Sequence, residues 1–421
     1  MLGEHAIGYE ALWLAFEDVA GVAKTTPTHH AGMLGTIVFD DSYYEPREST
    51  QEMEEVARSI MTQAWANVSA QGPLDTVTLP YFLNMAAHST PSVATPTDAV
   101  NTRLWTWTPA MTGGFKRKTS TGWFGNPNTN FWRGAMMFLD SLKFSGDASS
   151  ADGPQQEISG KTQQLTNLLG DSATTGSISG ATAAAPPVIT STSHGLSTGD
   201  RIRIHSVSGM VELNGLYAVI TVVDTDSFSL DNTDGTAFTA YTSGGTWVLQ
   251  NTPPSAPTRT VGPLMSAVKS ALWIDPLGTA FGTTEYTGQM ISYEFEIPGM
   301  ATPAYRAAGV AGGLTYSGID IAPRRATGNV TLELANPKLL ATYLADTTVN
   351  VRFRQYGDLI ETQNSTDFYH YVNIDMTTKL MFGDLGDSGG GRTVRFDLAS
   401  IKNATLGAGW QMTVQNNRTS V

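Results

Sequence analysis

The segment Ile291-Ser292-Tyr293-Glu294-Phe295-Glu296-Ile297 sets apolar and polar side chains in strict alternation. Successive side chains of a strand point to opposite faces, so Ile291, Tyr293, Phe295 and Ile297 must line a core while Ser292, Glu294 and Glu296 look away from it. A single strand of this kind leaves backbone donors and acceptors bare on both sides, and only neighbouring strands satisfy them. Comparable runs recur along the chain. "RIRIHSV" sets Ile202 and Ile204 against Arg201, Arg203 and His205, "DSFSLD", "LWTWTP" and "VNVRFRQY" alternate likewise, and "YAVITVV" is a β-branched run that also favours a strand. The expected fold class is mainly β.

Two shifts in composition divide the chain. "NLLGDSATTGSISGATAAAPP" and "NTPPSAPTRTVGP" are rich in small residues and proline, the composition of linkers. They predict a first domain over residues 1–165, a linker over 166–187, a small β-barrel module over 188–250, a second linker over 251–263 and a last domain over 264–421. The flanking domains echo one another. "FWRGAMMFLDSLKFSGD" (131–147) is matched by "FYHYVNIDMTTKLMFGD" (368–384), and each leads through a Gly-rich turn into another strand. One helix is expected in each copy. In the first, Ser49-x-x-Glu52 forms a capping box ahead of Met53, Val56, Ala57, Ile60 and Ala64. In the second, Asn336 caps a helix with Pro337 in its first position and Leu339, Leu340 and Leu344 on one stripe.

Much chemistry is excluded or unsupported. There are no cysteines, so disulfides, thiolate metal sites and cysteine nucleophiles are ruled out. The seven histidines form no helical H-x-x-x-H pair, and His29 and His30 should point to opposite sides of a strand. "GTAFGTT" (278–284) lacks the lysine of a phosphate-binding loop. "GDSGGG" (386–391) resembles the surround of the nucleophilic serine in chymotrypsin-like proteases, and "MAAHS" around His88 resembles that of their histidine. A hairpin turn explains Ser388 better, because the first copy has a Gly-containing turn with no triad logic at the same place, and one cause then accounts for both copies. Trp105, Trp107, Trp123 and Trp132 fit core packing better than a sugar-stacking surface. No enzyme activity and no cofactor are expected. With a net charge of −13 and 15% charged residues, the surface is polar and mildly acidic, unsuited to gripping nucleic acid. The first residues show no secretory signal pattern and no run long enough to cross a bilayer, so synthesis in a cytoplasm is expected.

"ALWLAFEDVAGVAKTTPTH", "LWIDPLGTAFGTTEYTGQMISYEFEIP" and "FLDSLKFSGD…GPQQEISG" resemble strand pairs of the major tail tube proteins of long-tailed (siphovirus-like) bacteriophages. The module "SHGLSTGDRIRIHSVSGMVELNGLYAVITVVDTDSFSLD…GTAFTAYTSGGTW" is similar to the first catalytic-cysteine half-domain fold of ubiquitin-activating enzymes. Without a cysteine, nothing of that enzymology carries over. The tail tube resemblance implies two β-sandwich domains, each with a flanking helix, whose inner sheets join those of neighbouring copies around a channel. Two such domains per chain imply trimeric, pseudo-hexameric rings that stack into a hollow tube in the virion tail, assembled in the host cytoplasm. The implied partners are further copies of the chain, the tape measure, tail terminator and tail-tip proteins, and double-stranded DNA passing through without tight binding. Glu294 and Glu296 become candidates for the lumen lining, where carboxylates repel phosphates. The module is expected to project outward, where it can meet a host surface. A tail-tip or fibre adhesin is the alternative, and a serine hydrolase acting through Ser388 is a third reading.

Overall fold

Antiparallel strands dominate the protein, as the alternation requires. The computed structural model describes residues 6–9, 11–44, 48–49, 54–55, 60–109, 117–127, 130–163, 165–286, 290–306, 315–333, 342–388 and 391–420. Up to residue 165 the main elements are β1 (Ala6–Tyr9), β2 (Ala11–Phe16), β3 (Leu34–Tyr44), β4 (Ile60–Pro73), α1 (Leu79–Ala87), β5 (Arg103–Trp107), β6 (Ser120–Asn126), β7 (Asn130–Asp147) and β8 (Gln155–Thr162). Next come β9 (Asp171–Ser177), β10 (Gly180–Ala181), β11 (Val188–Thr190), β12 (Arg201–Ser208), β13 (Tyr217–Asp224), β14 (Ser227–Leu230) and β15 (Ser243–Gln250). The last part holds β16 (Ser270–Pro276), β17 (Met290–Pro298), β18 (Thr327–Glu333), β19 (Thr348–Gln363), β20 (Thr366–Lys379), β21 (Met381–Ser388), β22 (Gly391–Ala399) and β23 (Trp410–Asn416).

The chain divides into two units. One comprises Met1–Gly125, Gly134–Leu165 and Ala256–Val421, and the other Asn126–Arg133 and Thr166–Ser255. In the larger unit one sheet runs β1-β3-β4-β8-β7-β17-β18-β22-β21 and a second runs β16-β19-β20-β23-β5. Their apolar faces meet through Phe144, Tyr293, Phe295 and Phe353. Phe353 lies 4.2 Å from Tyr293 and 5.0 Å from Phe295 between ring centres. Burying each such ring contributes about 1.5–3 kcal/mol. The Tyr293 hydroxyl donates to Gln355 Oε1 at 2.8 Å, so the one polar atom carried inward is satisfied.

The sequence assigns a separate sandwich to each flank, but the strands cross that division. β7 of the first flank pairs with β17 of the second from Ser141↔Pro298 to Asp147↔Ser292, and β5 pairs with β23. The flanks nevertheless enter the large sheet in the same order: β3-β4-β8-β7, then β17-β18-β22-β21. In each set the last two strands in the row, β7 with β8 and β21 with β22, form a hairpin.

The first expected helix is corrected. Ile60 and Ala64 lie on β4, Glu48–Ser49 and Glu54–Glu55 pair as two short strands, and Glu52, Met53, Val56 and Ala57 lie outside the described residues. Ala64, Ala66, Val68 and Ala70 are buried at a spacing of two, not three and four. The helix of this flank is α1. Pro80 stands in its first turn, and Asp75 accepts from the Val77 and Thr78 amides, both at 2.7 Å, just ahead of it. It ends at His88, whose φ of 44° is left-handed. In the second flank residues 342–344 are helical, and Leu344 is exposed. Asn336, Pro337, Leu339 and Leu340 lie outside the described residues.

The module is larger than the sequence suggested. Its sheet runs β9-β15-β12-β13-β14-β11-β10, so two strands come from the stretch 166–187 expected as a linker. β13 pairs with β12 at Tyr217–Val219 and with β14 from Ile220 onward, which turns the sheet over on itself. Ile189, Ile202, Ile204, Ile220, Phe228 and Trp247 fill the interior. The Trp247 indole donates to Ser191 Oγ at 2.8 Å.

Candidate functional site

The face of the large sheet turned away from the core is ordered in cross-strand rows. Residues directly opposite one another in antiparallel strands share a face. One row reads Gln71, Glu157, Lys143, Glu296 and Thr327. The next reads Gln155, Ser145, Glu294, Asn329 and Asp397. Glu294 and Glu296 thus look away from the core, while Tyr293, Phe295 and Ile297 between and beside them are buried. Across these two rows Glu157, Glu294, Glu296 and Asp397 face one ammonium, Lys143. Lys143 sits directly between Glu157 and Glu296, a neutralising position that only the strand register reveals. A third row is made of hydroxyls: Thr36 Oγ1 lies 2.9 Å from Ser69 Oγ, and Ser141 Oγ lies 2.8 Å from Ser159 Oγ. Lys161 pairs with Asp140 at 2.6 Å, and Arg395 donates to Asp397 Oδ1 at 2.9 Å. Every ammonium or guanidinium named here has a carboxylate beside it, which leaves little cationic charge for phosphate.

The two ends of this sheet differ. β21 pairs with β22 on one side, and among the described residues no strand pairs with its other side. Met381, Phe382 and Leu385 on it are 45%, 40% and 58% exposed. A long bare edge carrying apolar side chains is a template for another strand. At the opposite end β3 carries β1 on Gly35–Val38. Strand direction constrains what each edge can accept. From β3 to β21 every neighbour is antiparallel, and the count is eight, so β3 and β21 run in opposite senses. Laid edge to edge, β21 and the β3 of another copy would therefore continue the antiparallel pattern already made by β7 and β17.

Other candidates resolve into structural roles. The "GTAFGTT" loop spends its amides on an internal carboxylate, because Asp275 accepts from Gly282, Thr283 and Thr284 N–H at 2.7–3.2 Å. Burial alone would raise the Asp275 pKa, but these bonds and the Thr283 hydroxyl outweigh it and hold the group below the usual range. His29 packs its ring 3.7 Å from Tyr81, and its pKa falls to about 4 through burial and the nearby Arg418 charge. His30 instead approaches Trp13 and accepts from the Gly32 amide, so the two histidines diverge as the sequence implied. Trp105, Trp107 and Trp123 are buried, and the first two donate to Asn416 and Asn84. His88 is buried at the end of α1, whereas Ser388 pairs with Gly391 where β21 turns into β22. No group of three or more metal-ligating side chains occurs among the described residues. A depression of about 780 Å³ is lined by Lys269, Arg354, Tyr356, Tyr369 and Tyr371. There the Arg354 guanidinium lies 4.3 Å from the Tyr371 ring centre, committing that charge to an aromatic stack. No described helix is long and apolar enough to cross a membrane.

The family "Ubiquitin-activating enzyme E1 FCCH domain" matches residues 187–250. That is the module read from the sequence as 188–250, and the similarity covers that segment alone. No curated protein matches the chain.

Proposed function

We propose that the chain is a virion structural protein, the major tail tube subunit of a long-tailed bacteriophage. One observation carries the reading: two four-stranded sets, entered in the same order, are joined edge to edge within one chain. The β7–β17 junction is a template for a junction between chains, β21 of one copy against β3 of the next. Three copies would then close a barrel of pseudo-sixfold character. From the strand spacing and the usual tilt, such a barrel measures about 45–50 Å across its backbone. Its lining would be the hydroxyl and carboxylate rows, including Glu294 and Glu296, so DNA would pass without strong attachment. Rings would stack head to tail in the tail, where the tape measure, tail terminator and tail-tip proteins are the further partners.

Electron microscopy of the purified protein tests this. Hollow rods of stacked rings are expected, and discrete monomers at every concentration would refute it. The adhesin alternative draws on one feature of the module: Tyr217, Val219 and Val223 are exposed along one face of β13, beside Arg201 and Arg203 on β12. Under that alternative the purified module binds bacterial cells and the whole chain forms no rods.

A further inference from the structure

We propose that β1 is a removable cap on the ring-closing edge of β3, so that each copy protects this edge until a neighbour's β21 takes it. The inference rests on the tube-subunit reading and adds a control step to it. β1 pairs with β3 from Ala6↔Val38 to Tyr9↔Gly35, beginning one residue from the Leu34 end. At the matching position inside the chain, β17 receives β7 from Ser292 onward, near its own Met290 end. β1 thus occupies on β3 the stretch that β7 occupies on β17. Both caps and neighbours compete for the same amides and carbonyls, since one edge accepts one strand.

Direction makes the competition strict. β1 is antiparallel to β3, so it runs in the same sense as β21. A neighbour's β21 laid against β1 would meet it in parallel and break the alternation that every other junction of the sheet obeys. The closing strand must therefore replace β1 rather than extend beyond it. The cap is suited to leaving. It offers four residue pairs, whereas β7 holds β17 by seven. Strands held by few residue pairs open at low free energy compared with the sheet they cover. Covering β3 also blunts one of two sticky edges before assembly, which limits pairing in wrong registers.

A disulfide lock tests the cap. Gly8 and Thr36 are direct partners, and such partners lie about 4.5–5.5 Å apart between Cα atoms, within disulfide reach. The chain has no cysteine of its own, so G8C/T36C forms one defined bond. The oxidised variant should remain as single subunits, and reduction should restore rods. Fully cross-linked protein that polymerises like the reduced form would overturn the proposal. A second variant beginning at Ala11 should assemble at about tenfold lower critical concentration, a change of about 1.4 kcal/mol. An unchanged or higher critical concentration would count against the cap. If the wild-type chain never associates, the tube reading fails. The truncated chain then decides the cap: association supports it, and a persistent monomer overturns it.

Discussion

The module and the large unit are both antiparallel sheets around aromatic residues, yet they treat their edges differently. The module ends in β10, two residues long, and β9, whose pairing with β15 is irregular between Asp171 and Thr175. Its interior is complete around Trp247. The large sheet ends in β21, eight residues long, exposed and apolar in part. Short or irregular margins discourage further pairing, and long regular ones invite it. A module with short or irregular margins thus sits in a chain whose other unit, among the described residues, leaves a long sheet edge without a partner strand.

The largest effects should come from cutting each core separately. Trp247 and Phe295 are 1% and 0% exposed and lie in different units. Phe295→Ala should destabilise the large unit by about 3–5 kcal/mol, and Trp247→Ala should cost the module a similar amount. Calorimetry should show each substitution lowering one transition and leaving the other in place. A single transition moved by both would erase the distinction between the units.

The next test acts on the edge. Leu385 is 58% exposed on β21, so Leu385→Lys should change folding stability by no more than about 0.5 kcal/mol. A charged side chain on a bare edge opposes strand addition, so rod formation should fall sharply in sedimentation assays. The comparable Val219→Lys, on an exposed face of the module, should leave rods unaffected. Equal losses from both would dissolve the contrast between edges.

How much of this contrast could be read in advance depends on how each strand is buried. β17 was legible because Tyr293, Phe295 and Ile297 interleave with Glu294 and Glu296, a pattern no helix shares. β4 was not, because its inward side chains are mostly alanine, which fits a helix as readily as a tightly packed sheet. α1 escaped notice for the opposite reason: all nine of its residues are buried, so it has no polar face and its sequence no helical stripe. The usable signals were Thr78 and Pro80 at its start. β9 is exposed along most of its length, and its Ser, Thr, Ala and Gly residues look like a linker until β15 is beside it. Of the candidate site, the outward direction of Glu294 and Glu296 followed from alternation. Lys143 between Glu296 and Glu157 did not, since register across three strands is a tertiary property.

Charge on the polar face gives a smaller and purely functional effect. Replacing Glu294 and Glu296 by lysine should leave folding and rod formation near wild type, because both already face away from the core. Rods carrying the pair should retain duplex DNA at low salt and release it as salt rises, the signature of phosphate contact. The module's carboxylates offer the control, since Asp234→Lys should not change DNA retention by rods. Wild-type behaviour of the double variant would place these glutamates elsewhere than on a DNA path.

The smallest effect separates the units by pH. In the large unit His29 has its pKa lowered to about 4, first by burial and then by Arg418, and His30 and His370 are lowered as well. An unfolded histidine titrates near 6.5, so between about pH 6.5 and 4 the unfolded chain binds more protons than the folded one. Stability from this source is complete above pH 6.5 and is lost as pH falls toward 4. The module's shifted acids behave otherwise. Asp171 is lowered by its bond from Arg203, Asp224 by the Asp226 amide and Asp234 by Thr236, so their contribution persists until pH drops below the ordinary carboxylate range. Acidifying from pH 7 to 5 should therefore move the large unit's melting transition downward before the module's. His29→Gln should flatten part of that slope and leave the remainder to His30 and His370. Identical slopes in wild type and variant would mean that the His29 ring, although stacked 3.7 Å from Tyr81, is protonated as easily in the folded unit as in water.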